Sequence, residues 1–439
     1  MRKPLIAVLL SGTFAAQIAC AADLLQLYKE ALANDAQFAG ARASLAAGEE
    51  KVTQGRAGLL PSLGLSGAYN RTGMDTSSAG IDSSRNFRAN TYTLSLSQPL
   101  FRLGNWAAYQ QGKLQTAASE AQFALAQQDL IVRVAQAYFD VLTAQDALGS
   151  VQAQKTAITE QLASAKRNFE VGTATITDSQ EAQARYDLAV AQEFAAQNDV
   201  EVKRAALQQI IGKPAGNLTP LRPGVTLTAP QPVQIDKWVD SAEQQNYGVI
   251  TQQLGLEIAR QEVKKNRAAH YPTLDLVASR NHVNQTGSTV STVGSVVDNN
   301  TVGVQWAIPL FSGFSVNSRV SEAVALEDKA RADLENARRT AAQGARQSFF
   351  AVNAGLAQVK ALEAAEVSSK SALESNRLGY QVGVRINIDV LNAQQQLYST
   401  QQNLSKARYD TILNGLRLKL AAGTLTEDDI TQVNALLNH

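Results

Sequence analysis

One cysteine, three histidines and the lack of any long apolar run after residue 22 set the first limits on this chain of 439 residues. The cysteine, Cys20, lies in an amino-terminal stretch laid out as a secretory leader. Arg2 and Lys3 precede an apolar run from Leu5 to Leu10 that continues weakly to Ile18, and Ala19-Cys20-Ala21 reads as an A-x-A cleavage site. Cleavage after Ala21 gives an exported chain with no disulfide. A lipid-bearing Cys20 is the alternative, but Gln17 and Ile18 stand where such a leader wants small residues and a leucine. His270, His282 and His439 are isolated, with no metal-ligand spacing or phosphate loop near them, so the expectation is a protein without catalysis, cofactor or metal. Net charge is missing too: after the leader, 38 Lys and Arg face 39 Asp and Glu, which argues against a nucleic-acid partner. Without a run of about 18 apolar residues no helix can span a bilayer, and a crossing would have to be made by the strands of a barrel.

Proline is absent from Leu100 to Lys213 and from Leu310 to the carboxyl end, whereas five of the ten prolines fall between Pro214 and Pro232. The proline-free runs predict long helices and the cluster a linker. Within the runs, Ile131, Val134, Tyr138, Val141 and Leu148 follow three-four spacing, as do Ala345, Phe349, Val352, Leu356 and Val359. That spacing predicts coiled-coil-like packing along a small, alanine-rich seam.

A fourteen-residue stretch occurs twice. Phe169 to Ala182 reads F-E-V-G-T-A-T-I-T-D-S-Q-E-A and Tyr380 to Ala393 reads Y-Q-V-G-V-R-I-N-I-D-V-L-N-A, at an offset of 211. The offset also pairs Pro61 with Pro272, Tyr138 with Phe349, Val141 with Val352 and Gly212 with Gly423, which makes the chain a duplication. In each stretch a glycine, Gly172 or Gly383, stands where a helix ends, and an aspartate, Asp178 or Asp389, where the next begins. Each stretch is therefore expected to be the turn of a helical hairpin.

Ahead of each long helix the hydrophobic period falls to two. Leu63, Leu65 and Tyr69, then Tyr92, Leu94 and Leu96, alternate with small polar residues around an expected loop from Arg71 to Asn90. Leu274, Leu276 and Ala278, then Val302, Val304, Trp306 and Ile308, repeat the pattern around an expected loop from His282 to Asn300. Each segment is long enough for a tilted transmembrane strand, though alternation alone also fits hairpins packed on a soluble core. The run from Trp106 to Phe169 would make a rod of roughly 95 Å and the helix from Asp178 to Ile211 one of roughly 50 Å. The shorter helix cannot cover its partner, so the helix at about 35–59 must supply the rest, as the one at about 245–269 must in the second half. Both strand hairpins are then expected at one end of a helical column and both turns at the other. Four strands cannot close a barrel, so a membrane-spanning form must be an oligomer.

At this point the chain resembles the TolC family of outer-membrane channels for drug efflux and type I secretion. The resemblance rests on Asp23-Leu24-Leu25-Gln26-Leu27-Tyr28, Leu60-Pro61-Ser62-Leu63-Gly64-Leu65, the two V-G-x-x-x-x-x-D turns and Gly423-Thr424-Leu425. It implies an α plus membrane-β protein with a duplicated helical-hairpin and strand-hairpin repeat. Three chains would form a 12-stranded β-barrel on an α-helical periplasmic tunnel, in contact with outer-membrane lipid, an inner-membrane transporter and a periplasmic adaptor. The expected organisation is a signal peptide at 1–21, repeat 1 at 22–213 with its β-hairpin at about 62–99, and a linker in the equatorial region at 214–240. Repeat 2 follows at 241–423 with its β-hairpin at about 273–309, then a carboxyl-terminal equatorial segment at 424–439.

The resemblance also implies a gate, in which Tyr380 and Arg385 of the second turn bind Thr177 and Asp178 of the first. Asp389, helped by Glu181, is the candidate for a cation-selective ring at the entrance, since residues three apart share a helix face and three copies make a ring. Here the chain departs from better-known members, which carry two carboxylates in the second turn. Asp389 is followed by Asn392, and the first turn has Asp178 with Glu181 instead. A coiled-coil spacer, periplasmic or at the surface and without a channel, is the alternative from another class.

Overall fold

The computed structural model describes residues 22–173 and 175–438; the expected signal peptide with Cys20, and His439, lie outside the described residues. The described residues form α1 (Leu24–Asn34), α2 (Ala36–Ala57), β1 (Ser62–Ser78), β2 (Ile81–Phe101), α3 (Leu103–Glu170), α4 (Ile176–Ile211), α5 (Ile235–Gln245), α6 (Tyr247–Arg267), β3 (Thr273–Gln285), β4 (Ser295–Ala307), α7 (Ser315–Gln381), α8 (Asn387–Ala421) and α9 (Glu427–Asn434). They fall into two units. One comprises residues up to Ala39, Gln127–Val239 and Gly344–His439, and the other Gly40–Ala126 and Asp240–Gln343.

The second unit holds a four-stranded antiparallel sheet in the order β1-β2-β3-β4. Its register sorts side chains by chemistry. Leu65 pairs with Leu94, Leu94 with Arg280 and Arg280 with Asn300, so these four share one face, with Leu63, Leu96, Ala278 and Val302 in the row beside them. The other face carries Ser66, Thr93, Asn281 and Asn299 in one row, where the Thr93 hydroxyl donates to Asn281 Oδ1 at 2.9 Å. Along β2 the leucine-bearing positions up to Leu94 are exposed and the threonine-bearing ones half-buried, so the sheet curves with its polar face concave. Leu65, Val302, Val304 and Trp306 are 77%, 77%, 57% and 68% exposed on the convex face. Trp106, on α3, is exposed as well.

The expected loop from Arg71 to Asn90 is not a loop. β1 and β2 stay paired as far as Ser78 and Ile81, around a two-residue turn in which Ala79 and Gly80 have φ of 54° and 81°. Two successive positive φ values make a type I′ turn, whose twist suits a tight hairpin. The sequence hid this because both faces of the extension are polar, so no period of two marks it. The second loop is also shorter than expected: β3 runs to Gln285 and β4 starts at Ser295. Where β2 ends, the register shifts between Pro99 and Phe101, and Arg102 grips Asp275 of β3 with two parallel bonds of 2.8 and 2.6 Å.

Close backbone approach governs the helices of the same unit. A Cβ on Gly112 of α3 would lie 2.5 Å from the Lys51 carbonyl oxygen of α2, so only glycine permits this crossing. Between α6 and α7, Val249, Leu256 and Leu334 pack with Ala330, Ala337 and Ala341 at heptad spacing. These contacts match the expectation that helices at about 35–59 and 245–269 lie along the long ones.

In the first unit, the expected seam of α3 is buried through Ile131, Val134, Tyr138 and Val141. Tyr138 donates to the Thr219 carbonyl at 2.6 Å, and Phe139 stacks on Tyr409, whose hydroxyl donates to Asp146 at 2.8 Å. Burial pushes both phenols well above the usual tyrosine range. The linker is tied to both ends of the described chain: Ala22 donates to the Asn217 carbonyl, and Leu221 bridges to Leu437. Trp238, Phe349, Leu418 and Ala422 close the core beside it.

The helix expected at about 35–59 is set off from α1 by Asp35, which closes α1 and caps α2 by accepting from the Phe38 N–H at 2.6 Å. Arg133 of α3 donates two bonds to the same carboxylate, at 3.0 and 3.1 Å. Burial works against the charge on Asp35, but the Arg133 guanidinium and the backbone N–H groups of Phe38 and Gln37 win, and the carboxyl is held below its usual range. A depressed folded-state pKa stabilises above the unfolded value of about 3.9 and stops doing so as pH falls through the folded value. Asp35→Asn should therefore lose about 1.5–3 kcal/mol at neutral pH, with the thermal-melting gap to wild type closing below about pH 3.5. A gap that stays constant down to pH 3 would show that the charge on Asp35 is irrelevant to stability.

Candidate functional site at the two helix turns

Both turns lie in the first unit and are built by the same backbone device. At the end of α3, Gly172 has φ 78° and donates to the Phe169 carbonyl while Thr173 donates to that of Asn168; at the end of α7, Gly383 has φ 75° and donates to the Tyr380 carbonyl while Val384 donates to that of Gly379. Each is a Schellman motif, with glycine in the left-handed position it requires. The expectation for the two glycines holds.

The two aspartates sit one turn further in than expected. α4 begins at Ile176 with Thr175 as its cap, and α8 at Asn387 with Ile386 as its cap, so Asp178 and Asp389 are third residues of their helices. In the first turn this makes a capping box: Thr175 Oγ1 accepts from the Asp178 N–H at 3.3 Å, while Asp178 Oδ2 accepts from the Thr175 N–H at 3.0 Å and its hydroxyl at 2.7 Å. Thr175-x-x-Asp178 was readable as this signature. In the second turn Ile386 has no side-chain oxygen, and the cap makes no such bond. Asp389 instead faces Arg385, one helical turn earlier, at 3.7 Å. One aspartate is thus occupied in shaping its turn, and the other, half-buried, is paired with Arg385.

Among the described residues, no hydrogen bond joins Tyr380 or Arg385 to Thr177 or Asp178 within the chain. Tyr380 instead accepts from Asn168 Nδ2 at 3.2 Å, which links the second turn to the first. One level deeper, Arg185 of α4 donates from Nη1 to Gln395 at 2.8 Å and from Nη2 to Asn392 at 3.1 Å. Gln161 of α3 donates to the buried Asn387 of α8, whose own Nδ2 finds no partner. Leu391 packs between Ile158 and Ala189. Thr177 is exposed on the first turn of α4, and Glu181 half-buried a turn further on.

Sequence reasoning missed Asn168, Arg185 and Asn387. At the offset of 211, Asn168 corresponds to Gly379, Arg185 to Gln396 and Asn387 to Ile176, so all three were visible only as places where the repeats disagree. The exposed apolar residues of the turns, Val171, Ile176, Val382, Val384 and Ile386, surround this polar cluster. Among the described residues the site brings together carboxylates, guanidinium groups and amides without a cluster that could hold a metal ion, an arrangement that joins helices through polar contacts.

Paired helical hairpins with matched turns, each joined in sequence to a strand hairpin of one sheet, are the build of an outer-membrane channel protein. The solved outer membrane protein VceC of Vibrio cholerae has this fold, with a TM-score of 0.77 over 91% of this chain and 96% of that one at 21% identity. The outer membrane protein TolC of Vibrio cholerae is 33% identical, covering 98% of this chain and 97% of that protein. The alkaline protease secretion protein AprF of Pseudomonas aeruginosa is 34% identical, covering 95% and 88%. The chain belongs to the outer membrane efflux protein family, whose model matches residues 27–213 and again 238–424.

The capping asymmetry is directly measurable. Asp178→Ala should cost its turn about 1 kcal/mol and speed amide hydrogen exchange over Ile176–Ser179 about fivefold, whereas Asp389→Ala should change the first turn of α8 much less. Equal loss of protection in both turns would show that Asp178 has no special capping role.

Proposed function

We propose that three copies of this chain close one 12-stranded barrel and one periplasmic α-helical tunnel, and so form a gated outer-membrane channel. It takes cargo from an inner-membrane transporter and a periplasmic adaptor, for efflux or type I secretion, and does no chemistry of its own. The observation that carries the reading is the sheet. It has one apolar convex face, one polar concave face and two strands, β1 and β4, each paired on one side only. Unpaired strand edges do not survive in hydrocarbon, and four strands are too few to close, so β1 of one copy must pair with β4 of the next. Relatives named for protease secretion support the secretion branch, and the family's own description supports the efflux branch. In planar bilayers the purified protein should give unitary conductance steps and run in detergent as a trimer. Val304→Arg on the convex face should cost about 2–4 kcal/mol and block assembly, while Thr301→Arg on the concave face should be tolerated. Assembly of both variants at wild-type levels would defeat the barrel reading.

The gate is the finer part of the proposal. Tyr380 and Arg385, with Thr177 and Asp178 of the first turn, hold the entrance shut across the helices of the closed trimer, and Asp389 with Glu181 forms the cation-selecting ring. Asp178 is suited to its part because its capping bonds use Oδ2 and leave Oδ1 for a second donor. A closed fraction of 99% requires only about 2.7 kcal/mol, within reach of exposed bonds of about 0–1 kcal/mol each repeated three times. Tyr380→Phe with Arg385→Ser should raise open probability several-fold, and Asp389→Ala should weaken cation preference and sensitivity to multivalent cations. Wild-type conductance in the double variant would remove Tyr380 and Arg385 from the gate.

A further inference from the structure

The convex face of the sheet changes character beyond the Leu65–Leu94 row. Nearer the helices it is apolar, through Phe101, Leu96, Val302, Val304 and Trp306. At the Leu94 row stands Arg280, and in the next row Tyr92 lies against His282, whose ring meets Asp298 at 2.9 Å. Further toward the β1–β2 turn, Arg71 and Arg88 are direct cross-strand partners on the same face. All three arginines are exposed, and no described carboxylate forms an ion pair with any of them. Asp298, between the two arginine tiers, is engaged by His282, and Asp75 and Asp82 lie on the same face nearer the turn, in ion pairs with neither Arg71 nor Arg88.

Two like charges directly opposite on a sheet disfavour the pairing, so an unpaired Arg71–Arg88 couple calls for an external anion. The position restricts the anion's source. Arg280 stands at the outer border of the apolar band, where a long cationic side chain reaches outward to the polar layer. Arg71 and Arg88 lie six residues further out, which for a tilted strand is about 15 Å. A phospholipid interface is only about 5–8 Å deep, so its single phosphate meets one tier or the other. A headgroup that meets both tiers must be tall and carry several phosphates.

We propose that Arg71, Arg88 and Arg280 form a docking surface for a phosphorylated glycolipid of the outer leaflet, held by bidentate guanidinium–phosphate bonds. The lipid's acyl chains lie on Val302, Leu96 and Leu63, and its phosphates span the two arginine tiers. The inference rests on the reading that the sheet spans the outer membrane.

The test is native mass spectrometry of the detergent-purified oligomer titrated with a glycolipid that carries phosphates both on its acylated glucosamine disaccharide and on its core sugars, with the same lipid after phosphate removal, and with phosphatidylglycerol. Wild-type protein should bind the phosphorylated glycolipid about tenfold or more tightly than either of the others, and Arg71→Ser with Arg88→Ser should abolish the difference. Arg85→Ser, on the concave face, should behave as wild type, and Arg71→Lys with Arg88→Lys should keep part of the preference. Inorganic phosphate that competes at equal concentration would mark a simple anion site, and a wild-type protein indifferent to phosphate removal would overturn the proposal without any variant. Conductance measured on the same preparation separates the two readings: unitary steps without lipid preference sink the docking surface alone, whereas the absence of steps sinks the channel.

Discussion

Backbone hydrogen bonding at the edges of one small sheet constrains this protein more than any single side chain. In water an open edge is a tolerable liability; in hydrocarbon each unpaired N–H or carbonyl costs several kcal/mol. β1 and β4 are 17 and 13 residues long and each is bonded on one side only. An apolar convex face and two unpaired edges are the features on which the proposed closed ring rests. Duplication supplies half of the answer, because two hairpins pair through β2 and β3 within one chain.

The helices solve a different problem, that of covering a very long rod with shorter ones. α3 and α7 have 68 and 67 residues, while α4 and α8 have 36 and 35. The uncovered lengths are taken by α2 and α6, and the fit is set by size: glycine and alanine at the contacts allow approach that larger residues would block. An alanine-rich seam buries little area per contact, and length compensates for what each contact lacks.

At the turns, duplicated sequence has diverged into complementary roles. The first turn is stiffened by the Thr175–Asp178 box; the second, capped by Ile386, lacks that brace and carries instead the Arg385–Asp389 pair and Tyr380, which accepts from Asn168. Both hairpins leave buried polar atoms without a partner, Gln128 and Arg204 in the first and Asn387, Gln394 and Arg408 in the second.

Much of this was legible in the chain. Proline-free runs located the four long helices, the offset of 211 exposed the duplication, and alternation placed the strands, because each of these is a local or periodic property that a one-dimensional pattern records. The two left-handed glycines were equally plain, since almost no other residue takes that conformation cheaply. The hairpin extension from Arg71 to Asn90 was not, because a strand with water on both faces has no hydrophobic period to read. Nor were the Asn168–Tyr380 and Arg185–Asn392 bonds, which join residues more than 200 positions apart and depend on how two hairpins pack. The sequence by itself determined where the chain turns and what each segment prefers to face; only the tertiary structure decided which polar groups meet, because a hydrogen bond is specified by distances of tenths of an ångström that no spacing in the chain encodes.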